Sequence, residues 1–190
     1  MAKIRIDKIG LVAAYSAKGD WAFNLAYYLA KFYSFQLNIF SFSESPFGPS
    51  NSSDILYSES EVHCLDEKKR ISAERKLREY YDSMLEDYEN AGFKLCNSHK
   101  HNLELRRCLR KKDYQILIIP YLEDGINFGN MPIEEFAYRF IAPVILVGPD
   151  QPHEYHINDQ AALIIDSLAI PIDNWKQIDR PLKLQVSPVL

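Results

Sequence analysis

The sequence predicts an α/β domain, doubly wound on a parallel sheet of five strands. Short apolar runs alternate with amphipathic helical stretches from Lys8 to Val147, the pattern of successive βαβ units. One run, "YQILIIPY" at Tyr114–Tyr121, is apolar at odd and even positions alike, as a strand covered on both faces must be. Helical stretches link the strands in turn, and parallel neighbours need such crossovers, which are right-handed.

The elements follow in order. "KIGLVAAY" (Lys8–Tyr15) reads as a buried strand that leaves into the turn "SAKGD". In "DWAFNLAYYLAKFY", Trp21, Leu25, Tyr28, Leu29 and Phe32 recur at three- and four-residue steps, which makes a helix with Asp20 as its expected cap. "FQLNIFSF" (Phe35–Phe42) is the second strand. Ser43–Val62 is rich in serine, proline and asparagine and is expected to be a surface loop, with room for a helical turn at Ile55–Tyr57. A loop so long in a compact domain is usually functional.

"DEKKRISAERKLREYYDSMLEDYENAG" is the clearest helix. Ile71, Leu77, Tyr81, Met84, Leu85 and Tyr88 form its apolar stripe, and Gly92 stands where a C-terminal glycine belongs. Its charges read as a solvated face with support between successive turns. "FKLCNS" is the third strand, "NLELRRCLRKK" the third helix with Asn102 as expected cap, and "YQILIIPY" the fourth strand. In "PIEEFAYRF", Pro132 suits a first helical turn, and Glu134 and Glu135 suit its positive end. "APVILV" is the fifth strand. These elements make an α/β domain over residues 1–148, with residues 149–190 as an extension or arm. In that extension "QAALIID" reads as one more strand, and the last stretch carries three prolines among scattered apolar residues.

Composition excludes several classes. Of 190 residues 47% are hydrophobic and 13% aromatic, ample for a packed core. The net charge of −4 argues against binding nucleic acid by neutralising phosphates. No apolar run approaches a membrane span, and "MAKIRIDKIGLV" lacks the apolar core of a signal peptide, so a cytoplasmic protein is expected. Cys64, Cys96 and Cys108 form neither a disulfide framework nor a CxxC site and read as buried, reduced thiols. His99 and His101 could share a metal if the chain there were extended, and "HEYH" adds His153 and His156, but no further ligand is spaced to complete a site. No metal is expected. GxSxG and GxGxxG are absent, and Asp7, which precedes the first strand, does not suit a phosphoacceptor. Tyr27, Tyr28, Tyr33, Tyr80 and Tyr81 lie among apolar neighbours and read as packing.

Together, "IGLVAAYS", "WAFNLAYYLAKFYSFQLNIFSF", the long second helix and "LRRCLRKKDYQILIIPY…GNMPIEEFAYRFIAPVILVGPD" resemble the universal stress protein family over roughly residues 8–148. The sharpest cue is the proline before the closing "VILV". The resemblance implies a Rossmann-like, adenine nucleotide alpha hydrolase-like sheet in strand order 3-2-1-4-5. It also implies a homodimer paired through the last strand, Val144, Ile145, Leu146 and Val147. Members that bind ATP carry an acidic residue just after the first strand and a G-x2-G-x9-G-[S/T] loop, whose backbone grips the phosphates at a helix start.

This chain departs from both patterns. Ala14 and Tyr15 stand where the acid should be, with Ser16 and Lys18 nearby. In "PYLEDGINFGNMP", Gly125 and Gly129 are too closely spaced, and Glu123 and Asp124 bring negative charge towards any phosphate. Gly129-Asn130 can still be matched to the loop's final Gly-[S/T]. The candidate crevice for ATP or AMP is thus Ala14, Ser16, Lys18, Gly125, Gly129 and Asn130, with no catalytic residue and no cofactor expected. The first reading is a non-catalytic regulatory protein of the stress response. It acts as a homodimer and through an unidentified protein partner, using the Ser43–Val62 loop and the C-terminal arm. A nucleotide-binding member with a modified loop, and a small-molecule sensor or accessory subunit of a transporter, are the alternatives.

Overall fold

The computed structural model describes residues 6–42, 59–96, 101–122, 128 and 131–179, with the backbone alone for 59–66. Its elements are β1 (Lys8–Val12), α1 (Ala17–Tyr33), β2 (Gln36–Phe42), α2 (Glu59–Leu85), β3 (Ala91–Cys96), α3 (His101–Arg110), β4 (Ile116–Pro120), α4 (Ile133–Arg139), β5 (Val144–Val147), β6 (Tyr155–Ile157), α5 (Asp159–Leu168) and β7 (Lys176–Gln177). They build one seven-stranded sheet in the order β3-β2-β1-β4-β5-β6-β7. β1 to β5 pair in parallel, so the order 3-2-1-4-5 holds as far as the sequence resemblance reached.

Alternation along the strands divides the core in two. Ile116 and Ile118 of β4, with Ile9, Leu37, Ile39 and Ile145, pack beneath α1, α2 and α5. Leu117 and Ile119 of the same strand, with Phe40, Val144 and Leu146, pack beneath α3 and α4. Side chains of this size contribute about 1.5–3 kcal/mol each when fully buried, and both faces of β4 collect that gain.

Residues 149–179 do not hang from the domain; they widen its sheet. β5 turns into β6 through residues 148–154, where Gly148 takes φ 106, a conformation side chains resist. β6 runs antiparallel to β5, with Ile145 opposite Ile157 and Val147 opposite Tyr155, and β7 pairs in parallel with β6. This corrects two expectations. "QAALIID" is the helix α5, not a strand. The strand foreseen at the sheet edge, Val144–Val147, is fully buried between β4 and β6, so its outer backbone groups are paired by its own chain rather than by a second copy.

Asn158 joins these parts. It is 1% exposed, and its Oδ1 accepts from Val144 N and Ala161 N, both at 3.0 Å. Its Nδ2 donates to Ala137 O at 3.0 Å and Ala142 O at 2.8 Å. One amide thereby caps α5, holds the start of β5 and binds the backbone at both ends of the α4–β5 connection.

Three helix ends differ from expectation. α1 is capped by Ser16, whose Oγ accepts from Gly19 N at 3.2 Å, while Asp20 sits in the first turn. α2 stops at Leu85 and Glu86 takes the left-handed conformation, so Gly92 belongs to β3. A Cβ there would come within 2.6 Å of Asn38 Oδ1. α3 contains Asn102 rather than being capped by it, and Arg106 Nε donates to its Oδ1 at 3.0 Å. The loop Ser43–Val62 ends in helix from Glu59; the turn foreseen at Ile55–Tyr57 lies outside the described residues.

Candidate functional site

In an open α/β sheet, ligands meet the carboxyl ends of the strands where the winding reverses. Here that place lies between β1 and β4. The chain leaves β1 with Ala13 N donating to Phe40 O at 2.8 Å, then bends sharply into α1. The bend is so tight that a Cβ on Gly19 would stand 1.8 Å from Ala14 O. Ser16 caps the helix: its side chain accepts from Gly19 N, and its carbonyl takes the first regular helical bond, from Asp20 N at 2.9 Å. On the other side of the seam the ammonium of Lys18 lies 5.9 Å from the ring centroid of Tyr121, and Tyr121 N donates to Val147 O at 2.8 Å. Burial, followed by the charge and hydrogen bond of Glu134, pushes the Tyr121 hydroxyl up to about 12.

A cluster of aromatic rings covers the β1 side. Tyr15, 43% exposed, meets Tyr80 edge-on at 5.0 Å and 85° and lies 6.5 Å from Tyr81. Lys76 places its ammonium 4.9 Å from the Tyr15 ring. Burial raises the Tyr15 hydroxyl, and the Ser41 side chain works against that rise. Tyr80 donates to Asp20 Oδ1 at 2.6 Å, and this bond is the main reason its hydroxyl is pushed up to about 12. Tyr81 Oη is buried without a well-formed hydrogen bond; burial raises it most, with the Ala14 backbone pulling the other way. Ring pairs of this kind contribute about 0.5–1.5 kcal/mol beyond their buried area.

Of the residues singled out by sequence, Ala14, Ser16 and Lys18 gather at this edge. Gly125, Gly129 and Asn130 lie outside the described residues, as do Glu123, Asp124 and His99. Sequence reasoning missed Tyr121 and the Tyr15–Tyr80–Asp20 chain, because α2 lies far from β1 along the sequence. It also missed Asn158, although a lone Asn before an apolar helical run is a cap signal. His101 is buried, stacked on Phe42 at 3.9 Å and edge-on to Phe128 at 5.4 Å. Among the described residues no group of three or more His, Cys, Asp or Glu is placed to hold a metal ion, and no helix is long and apolar enough to cross a membrane.

A second cleft, of about 550 Å³, opens where the sheet is widened, lined by Pro132, Glu134, Glu135, His156, Lys176 and Asp179 among others. Its two basic groups are both held by Glu154 beside it. Glu154 Oε1 accepts from Lys176 Nζ at 2.9 Å and lies 3.2 Å from His156 Nε2. The Lys176 bond, then the Asp150 backbone N–H, hold the Glu154 carboxyl down to about 2.

Comparison with known proteins gives the fold a family setting. A solved structure of a universal stress protein family member from Burkholderia pseudomallei superposes with a TM-score of 0.54 at 15% identity, covering 76% of this chain and 97% of that one. The universal stress protein UspA from Lactobacillus plantarum gives a TM-score of 0.42 at 12% identity, covering 93% and 99%. The first superposition makes the fold universal-stress-protein-like, as the strand order already indicated. No protein-family model matches the chain, and no curated protein does.

Proposed function

We propose that this chain, built on the universal-stress-protein-like fold, is a non-catalytic binding protein of a stress response that acts through self-association and protein partners and holds no adenine nucleotide tightly. The observation that carries the reading is the filled β1 exit. Tyr15 stands at the exit of β1 packed against Tyr80 and Tyr81, and Ser16 caps α1 through Gly19 N. An adenosine brought to this exit would find no acid at Ala14 or Tyr15 to hold it, and the Tyr15 ring, backed edge-on by Tyr80, in its way. The described residues at the β1 exit thus offer an adenosine little to hold.

The test is a thermal melt of the full chain with and without millimolar ATP and magnesium. A ligand at 100 times its Kd stabilises by about 2.7 kcal/mol, so a nucleotide site of ordinary affinity shows clearly. No shift is expected. A saturable shift would overturn this reading and favour the nucleotide-binding alternative, with Ser16, Lys18, Gly129 and Asn130 as contacts.

Self-association needs a surface other than β5, whose outer edge β6 already pairs. The two-residue edge strand β7, carrying Lys176, is itself a poor template for strand addition. On one face of the sheet α1 presents Tyr28 and Phe32, 48% and 63% exposed with rings 5.9 Å apart, and α5 presents Leu163, 66% exposed. We assign the contact between copies to this apolar face. Light scattering at micromolar concentration is expected to give a dimer that Phe32→Glu dissociates. A monomeric wild-type chain would refute the assignment.

A further inference from the structure

Cys96 ends β3, at the opposite edge of the sheet from β7, and Cys108 lies on the buried face of α3. Neither is in a disulfide, and they are 5% and 8% exposed. Most buried thiols are inert because they are sealed among apolar groups. These two differ in two respects. Their sulfurs lie near enough for each to shift the other's ionisation. They also line a cleft of about 380 Å³ together with Lys94, Glu104, Arg107 and Asp113, so a small polar oxidant can reach them.

The surroundings make the pair unequal. The neighbouring Cys108, followed by burial, pushes the Cys96 thiol well above the usual range. Cys96 in turn is the main influence lowering Cys108, against burial and the charge of Asp113. Lys94, paired with Asp113 at 2.5 Å, favours the ionised form of both sulfurs. These directions favour Cys108 as the sulfur that ionises, with Cys96 as its proton-bearing neighbour.

We propose that Cys96 and Cys108 form a peroxide-sensitive dithiol, with Cys108 as the attacking sulfur and Cys96 as the resolving one. The Cys108 thiolate attacks one oxygen of hydrogen peroxide, the O–O bond breaks, and the departing hydroxide takes a proton to leave as water. Cys108 becomes a sulfenic acid. The Cys96 sulfur then attacks the Cys108 sulfur and displaces hydroxide, which takes the Cys96 proton and leaves as a second water. In sum, two thiols and one peroxide give one disulfide and two waters; the sulfur pair loses two electrons and the peroxide gains them. The bond ties the end of the edge strand β3 to α3. This inference is independent of the reading of the β1 exit.

The experiment treats the reduced full chain with one equivalent of hydrogen peroxide at neutral pH, then alkylates it under denaturing conditions and maps its peptides by mass. The expected product is a Cys96–Cys108 linked peptide lighter by two hydrogens, restored by dithiothreitol, with Cys64 still alkylated. Dimedone is expected to label Cys108 in Cys96→Ser and to leave Cys96 unlabelled in Cys108→Ser. Full alkylation of both cysteines after peroxide, or a disulfide that includes Cys64, overturns the proposal. Labelling of Cys96 in Cys108→Ser overturns the division of roles. If either variant does not fold, the wild-type peptide map decides alone.

Discussion

Replacing Asn158 by alanine tests the joint between the widened sheet and its parent domain. The side chain makes four hydrogen bonds, two accepted and two donated, at a position 1% exposed. Alanine strips a partner from two backbone N–H groups and two carbonyls. A buried polar group left unsatisfied costs about 1–3 kcal/mol. Relaxation and entering water reduce such sums, so the low end of each gives about 4 kcal/mol in all. Against a typical stability of about 5–15 kcal/mol this is a large fraction, and for a chain of this length it lowers Tm by roughly 10 °C. Urea melts followed by far-ultraviolet circular dichroism measure it, with Asn24→Ala, an exposed site on α1, as a control expected within about 0.5 kcal/mol of wild type. Asn158→Asp keeps the acceptors but turns a carboxylate towards Ala137 O and Ala142 O, so at neutral pH it is expected to lose at least as much. A loss below about 1 kcal/mol for Asn158→Ala, the scale of a single exposed cap, would refute the reasoning.

Other perturbations follow from the same geometry. Gly19→Ala drives a Cβ to 1.8 Å from Ala14 O; the obstacle is backbone, so α1 must shift off β1 at a cost of about 3 kcal/mol, and an unchanged melting temperature would contradict the contact. Glu154 is depressed to about 2 from 4.5, so the stability it contributes is complete above about 4.5 and is lost as pH falls towards about 2. Glu154→Gln is expected to flatten that acid limb in urea midpoints measured against pH, and an identical limb would remove Glu154 from the account. Ending the chain after Gly148 uncovers the outer edge of β5 and is expected to give aggregates by light scattering; a truncated chain as monodisperse as the full one would show that β6 does not shield it.

What could be read from sequence was what depends on local period. β1 to β5 and the first four helices follow from apolar runs and helical steps, because a strand buried on both faces needs a run such as "ILIIP". What failed turned on partners far along the chain. Gly92 was expected to end a helix, but α2 stops at Leu85. There Tyr88, instead of extending the apolar stripe, sends its hydroxyl to the carbonyl oxygens of Ala30 and Phe35, and the absent Cβ of Gly92 makes room for Asn38. "QAALIID" is apolar enough for either structure, and its helical state is set by Asn158, whose other bonds reach α4 and β5. At the candidate site the absence of an acid at Ala14 was legible. The aromatic cover over it was not, since Tyr80 and Lys76 reach Tyr15 only through the packing of α2.

The antiparallel pairing of β5 with β6 also has a consequence in time. Translation delivers Val147 some seconds or less before the last widening strand, at roughly 5–20 residues per second. During that interval the nascent domain carries a bare ribbon of valine, isoleucine and leucine with nothing yet to zip onto it. A premature stop within that window releases an adhesive product and a pause prolongs its exposure, so this stretch of the message is where the growing polypeptide depends most on shielding by the ribosome or a chaperone.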